Sequence, residues 1–306
     1  YYNGIERTVK GLIGAGMRVE PIIEVPDKIK PLLDDITGTG LPLNDFISYM
    51  LSEQLLMGRQ GVLVDRNEER PYLVGYSTEQ ITNWLDDRII LEENFRQIDA
   101  DDIYKSEYAT QYRELVKDGE GYKVRVWKKE KKGWTVVDEI FPSRLGKALS
   151  DIPFISLSGE GFNLEPSIPP MLALADTGLS LYRTSADLEH GRHFTALPTP
   201  YVTGIDETSE LKIGSGSAWI LPDSSSRAGY LEFSGQGLQA LEKAMEEKRS
   251  MMASLGAQLL QSQKAGIESA DSVRLRQNAE ASTLVSTVKS VERAITQALR
   301  IMAEWE

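Results

Sequence analysis

The sequence predicts an α+β chain whose mixed α/β first half gives way to long helices. Three observations predict it. Residues 108–141 alternate apolar and polar side chains and break at Asp118-Gly119 and Lys132-Gly133, the pattern of an antiparallel meander or two linked hairpins. Residues from about 170 to 195, and nearly everything from 236 onward, carry apolar residues at three-four spacing, the pattern of helices with one buried seam. Between those helices, 197–235 returns to short strand-like pieces rich in turn residues.

Taken in order, Ile5, Val9 and Leu12 share one face of a first helix, which Gly14 and Gly16 stop. MRVEPIIEV is extended, limited by Pro21 and Pro26. Pro42 suits a first helical turn, Leu43, Ile47, Met50, Leu51 and Leu55 form the stripe after it, and Gly58 is placed to end it. GVLVDR from Gly61 is a short buried strand, with PYLVGY (71–76) as its partner. STEQ (77–80) has the form of a capping box, Ser77 as N-cap and Gln80 reaching back, and predicts a short helix carrying Trp84 and Leu85. Residues 86–107 are acidic. In the meander, the middle strand is basic: Lys123, Arg125, Lys128, Lys129, Lys131 and Lys132. DIPFISL (151–157) adds a strand, and 158–170 reads as a Gly/Pro-rich linker. Leu238, Leu241, Met245, Met252, Leu255 and Leu259 give one late helical seam. Leu284, Val288, Val291, Ile295, Ala298 and Met302 give the other. Between them, 261–268 is a short polar break with one glycine, Gly266. No internal repeat or low-complexity tract is present.

The 306 residues are 41% apolar, enough for two or three compact units. The absence of cysteine excludes disulfides and thiolate metal sites and fits synthesis in a reducing cytosol. No stretch approaches the roughly 20 apolar residues of a membrane span, and no secretory signal opens the chain. The chain begins at Tyr1 and stops at Glu306 straight after a helical pattern, so neighbouring regions are expected beyond both ends. A net charge of -12 argues against tight non-specific DNA binding, which needs many phosphate contacts. It leaves room for a surface past which DNA slides without sticking.

Catalytic patterns are weak. His190 and His193, with Asp187 or Glu189 as a third ligand, match none of the usual metal spacings, and two histidines near a helix end suit the helix dipole. Asp176, Asp187 and Glu189 share one helix, and Asp86, Asp87, Glu92 and Glu93 one acidic stretch. In a chain with 46 acidic residues such sets are ordinarily solvated faces. GLIGAGM (11–17) lacks the order of a dinucleotide fingerprint, and GSGSAW (214–219) lacks the lysine of a phosphate-binding loop. The basic strand with Tyr122, Trp127 and Trp134 has three readings. It can stack nucleic-acid bases, it can be an edge strand guarded by lysines, or it can meet an acidic neighbour such as 86–107 of another subunit. The guarded edge is favoured.

Several stretches together carry a resemblance: YYNGIERTVKGLIG, LLMGRQGVLVDR, DIPFISL, LYRTSADLEHGRHFTALPTPYVTG, GYLEFSGQGLQAL, MMASLGAQLL and SADSVRLRQNAEASTL. They resemble a tailed-bacteriophage and prophage family, often left as a domain of unknown function, that is related to portal proteins. The resemblance spans nearly the whole chain and rests on the order of segments more than on any single motif. It implies a portal fold: wing at 1–165, first stem helix at 166–196, β clip at 197–235, second stem helix at 236–260, tunnel loop at 261–268 and long wing helix at 269–306. A helical crown usually comes next in such proteins; here it is expected to be absent or trimmed.

The resemblance further implies a ring of about twelve subunits at one capsid vertex of a virion. Double-stranded DNA is packaged and ejected through such a ring, passing without sequence specificity, and the ring has no catalytic site, cofactor or metal. A terminase motor, head-tail connector and capsid proteins dock on it, and assembly is expected in the bacterial host cytoplasm. Gln261, Ser262, Gln263, Lys264 and Gly266 would line the channel. Two other readings stand beside it: an adaptor or scaffold that oligomerises through its C-terminal helices, and a hydrolase using carboxylates on the 170–195 helix.

Overall fold

The computed structural model describes residues 2–98, 102–131, 133–144, 146–158, 164–196, 199–205, 219, 221, 223–231, 236–259 and 283–306. The chain is mixed α/β, with several sheets and helices. It divides into two compact units, one formed by 1–3 and 175–254, the other by 4–174 and 255–306.

The larger unit is layered. Helices α1 (Gly4–Gly16), α2 (Leu43–Met57) and α5 (Thr283–Trp305) lie on one side of an antiparallel sheet made of β1 (Arg59–Arg66), β2 (Pro71–Ser77) and β10 (Phe154–Ser158), with β1 in the middle. Val62 and Val64 of β1 point into a core with Phe46, Met50, Val291, Ile295 and Met302, while Leu63 points into a second core with Tyr76, Leu91, Leu115 and Val124. Burial on both faces explains why β1 reads as a continuous apolar run rather than an alternation.

The second core is closed by a five-stranded antiparallel sheet in the order β3 (Ile81–Leu85), β4 (Arg88–Ile98), β5 (Ser106–Asp118), β6 (Gly121–Glu130), β7 (Gly133–Ile140). The expected meander is therefore present and longer than expected. Asp118 pairs with Gly121 and Glu130 with Gly133, each closing a tight hairpin. Two minor strands, β8 (Ser143–Arg144) and β9 (Lys147–Ala148), come next in the chain.

Three sequence expectations are corrected. The helix expected after STEQ is strand β3: the Ser77 N–H does donate to Gln80 Oε1 at 2.9 Å, but the contact closes a turn between β2 and β3. The acidic 86–107 stretch contains β4, where Ile89 and Leu91 face the core and the charges on either side of them, among them Asp86, Asp87, Glu92 and Glu93, hid the strand. The basic strand β6 is not an edge; β5 and β7 flank it.

Gly58 ends α2 in the left-handed region at φ 71°, as expected. A Cβ there would also sit 3.1 Å from Pro169 Cα, because the segment expected to be a linker is pinned at this point. Ser167 Oγ donates to the Gly58 carbonyl at 2.6 Å and the Met171 N–H donates to the Leu55 carbonyl at 3.3 Å. This anchoring sets the start of the next helix.

In the smaller unit, the long helices α3 (Leu172–Ala196) and α4 (Gln236–Gln258) run antiparallel. Gly178 meets Met252, Lys248 reaches Ser180 and Thr184, and Gly191 meets Leu238. A Cβ on Gly191 would stand 2.5 Å from Leu238 Cδ2, so glycine sets the closest approach. Between the helices, β11 (Thr199–Thr203) and β12 (Arg227–Leu231) form an antiparallel ribbon.

Candidate functional site

Gln261, Ser262, Gln263, Lys264 and Gly266 lie outside the described residues, as does the rest of 260–282. The two ends of that stretch are described, and they meet: the Leu284 N–H donates to the Leu259 carbonyl at 3.3 Å. Helix α5 thus begins where α4 has just ended. The junction is tightly built. A Cβ on Gly256 would lie 3.2 Å from Thr8 Cγ2, and one on Gly16 3.2 Å from Val288 Cγ2, so α1 touches both sides of the junction. Leu284, Val291 and Ile295 then carry α5 into the helical core. The sequence showed the polar break at 261–268 but no sign that Leu259 and Leu284, on either side of it, would meet.

On the helix pair, Arg192 donates to Glu189 at 2.8 Å and to Glu242 at 2.9 Å, bridging α3 to α4. These pairs are exposed and contribute little stability. The buried seam of α3 runs through Leu174, Leu181 and Leu188. Its other faces keep Leu179 and Tyr182 in solvent.

The candidate catalytic residues are not brought together. The His190 and His193 rings each stand edge-on to Phe194, with centroids 4.7 and 5.7 Å away. Glu189 is engaged with Arg192. Glu92 and Glu93 fall on opposite faces of β4, Glu92 accepting from the Tyr112 hydroxyl and Glu93 turned inward. Among the described residues no group of three His, Asp or Glu side chains could hold a metal ion. No described helix is long and apolar enough to cross a membrane.

The inner part of the basic strand is paired within its own sheet. Lys123 pairs with Asp118, Arg125 donates to Glu139 at 2.7 Å, and Lys128 sits over the Phe95 ring. Tyr122 is buried, and the Trp127 indole N–H donates to Glu114 at 2.8 Å. Two of the three aromatics expected to stack bases, Tyr122 and Trp127, are thus taken up within the protein.

Two arginines, Arg59 buried and Arg113 half-buried, which the sequence did not single out, organise the larger unit. Arg113 on β5 donates through Nε to Glu93 Oε1 at 2.6 Å and lies 3.6 Å from Asp65 on β1. Glu93 also accepts from Tyr76 and Gln111, each at 2.6 Å. Burial pushes the Glu93 carboxyl up, but the adjoining Arg113 charge and these hydrogen bonds outweigh it and hold it below the ordinary value. Tyr72, buried beside Asp65, is pushed up to about 12. Arg59, at the start of β1, donates to Thr78 Oγ1 and to the carbonyls of Thr78, Ile81 and Leu164 at 2.8–2.9 Å, with its guanidinium 4.4 Å from the Trp84 ring. It ties the β2–β3 turn and the segment leading into α3 to one point.

Residues 170–306 match the model of a family described as Domain of unknown function (DUF4055). The match starts just before α3 and runs through the helix pair, the ribbon, the junction and α5. No curated protein matches the chain. In fold, the chain resembles a chain of a native gene transfer agent (GTA) virion, at 14% identity and a TM-score of 0.50, over 97% of this chain and 76% of that one. Matches to a chain in the neck of the native GTA particle in C12 symmetry and to one in the neck of the empty particle in C6 symmetry have TM-scores of 0.49. Their identities are 14% and 13%, over 96% and 97% of this chain and 76% and 77% of those chains.

Proposed function

We propose that the chain is a portal-like ring subunit of a phage or phage-like particle, through which double-stranded DNA is packaged and released. The observation that carries the reading is the junction at Leu259 and Leu284. An antiparallel helix pair with a β ribbon between its helices leads to a point where the chain departs and returns, and α5 then enters the core. This is the order of stem, clip, stem, tunnel loop and wing helix. The fold likeness to a chain of a GTA virion supports the same reading. So do the apolar side chains that α3 leaves in solvent, which a helix held between neighbouring copies would bury.

In this reading 1–165 is the wing, α3 and α4 belong to the stem, β11 and β12 to the clip, and 261–268 is the tunnel loop. Gln261, Ser262, Gln263 and Lys264 offer the DNA polar contact without an apolar anchor, and Gly266 lets the backbone adapt. A net charge of -12 keeps the number of neutralised phosphates, and hence the friction, low. The subunit itself carries no catalytic group; ATP hydrolysis belongs to a terminase motor docked on the clip. Connector and capsid proteins are the other partners, and the mature location is a capsid vertex.

Two results are expected. Light scattering of the purified chain, with negative-stain images of the same fraction, gives rings of about twelve subunits with a central hole. A stable dimer or trimer without a hole removes the portal reading in favour of an adaptor. In particles, deleting 261–268 or changing Lys264→Ala lowers DNA packaging or retention while ring assembly is kept. Unchanged packaging and retention would rule out the channel-lining role.

A further inference from the structure

We propose that the outer edge of β7 takes a strand from a second copy of this chain, and that the strand is residues 18–25. The inference rests on the reading of the chain as a ring subunit and names the backbone contact between neighbours.

Strand β7 is an edge. It pairs with β6 on one side and with no described strand on the other. Proteins usually blunt such an edge by shortening it or by placing lysine or proline on it. Over its eight residues β7 has neither; its guards are a bulge at Val137 and the charges of Asp138 and Glu139 at its far end, and it still exposes Trp134, Val136, Val137 and Ile140. An unpaired row of N–H and C=O groups flanked by apolar side chains is a template for strand addition.

The same chain holds a matching piece. Residues 18–25 run between α1 and a 3-10 turn at Lys30–Asp35 without joining a sheet. Among the described residues, none of their backbone N–H or C=O groups has a hydrogen-bond partner. Ile23 and Val25 pack against the helical core and fix the segment, while Val19 and Ile22 stay 79% and 92% exposed. A groove of about 650 Å³ remains between this segment and helices α2 and α5.

The charge order selects the direction. Antiparallel addition brings Arg18 towards Asp138 and Glu139, and Glu24 towards the Lys131 end of β7. Parallel addition would bring like charges together at both ends. In the antiparallel register Val19 lies beside Val137 and Ile22 beside Trp134. Pro21 has no N–H and must then occupy a position that donates nothing to the ladder, as edge-strand prolines do. The contact joins two different surfaces and can repeat head to tail until it closes on itself, whereas β7 pairing with β7 would stop at a two-fold dimer.

The chain contains no cysteine, so engineered disulfides report without background. Val19→Cys and Val137→Cys proteins, purified separately, are mixed, oxidised mildly and run on a non-reducing gel. A Glu139→Cys protein mixed with Val19→Cys covers a register offset of two residues. Both partner positions are exposed, so folding is not at stake. The expected result is a mixed, linked pair as the main product, with neither protein linking to itself. No mixed pair with either partner, or self-linked Val137→Cys as the main product, overturns the proposal. Rings of unsubstituted chain without the mixed link remove the strand pairing and leave the portal reading intact. The mixed link in a chain that forms only open filaments does the reverse.

Discussion

Arg113→Leu is expected to cost the folded chain about 2–4 kcal/mol. Complete removal of one partner from a fully buried pair costs about 3–5 kcal/mol; here the two side chains keep 19% and 18% of their exposure, which lowers the figure. The loss has little to do with missing attraction. Without Arg113, the Glu93 carboxylate is left turned into the space between two sheets, and Tyr76 and Gln111 can only partly satisfy it. Arg113→Leu combined with Glu93→Leu should therefore recover more than half of the lost stability. Urea unfolding at pH 7 measures both, and a loss below about 1 kcal/mol would show that solvent already screens the pair.

The same group fixes a pH dependence. Because the folded carboxyl lies below its ordinary value of 4.5, its contribution is complete above that pH. It is lost as pH falls through the lower, folded value. Unfolding midpoints should fall in acid for the natural chain, and the fall should be shallower for Glu93→Gln.

Arg59→Met is expected to cost about 3 kcal/mol or more, since each buried acceptor left without a donor costs ~1–3 kcal/mol. Methionine fills much of the volume, but it leaves the carbonyls of Thr78, Ile81 and Leu164 unpaired. Lysine is no remedy, because one ammonium cannot reproduce the planar fork that reaches them. The effect should also be local. Hydrogen exchange is expected to rise first in the β2–β3 turn and around residues 164–171, where Arg59 and Ser167 hold the chain. Exchange that rises evenly through β1 to β7 would place the loss in the sheet as a whole.

Much of the fold was legible because it rests on short-range chemistry. Gly58 caps α2, tight turns close the meander, and the apolar spacing of α5 reads directly as its buried seam. The misses come from contacts between residues distant in sequence. STEQ has the letters of a capping box, yet residues 81–85 after it pair with β4, and that pairing outweighs the local preference. The acidic run hid a strand because Glu93, which looks like a surface charge, is turned inward onto Arg113 twenty residues later. No periodicity reveals such a partner; only the β4–β5 register does. Of the candidate site, the channel-lining residues remain a proposal, while the joint that carries them was invisible in sequence. It shows in the Leu259–Leu284 hydrogen bond and in the contacts of Gly256 with Thr8 and of Gly16 with Val288, all between residues distant in the chain.

That joint is held from outside 260–282. Gly256 packs on Thr8 and Gly16 on Val288, so α1 clamps the end of α4 to the start of α5. A lineage of such chains could retune whatever this stretch touches without redesigning a single core contact. An engineer could graft a reporter peptide at the same place and expect the body to fold as before.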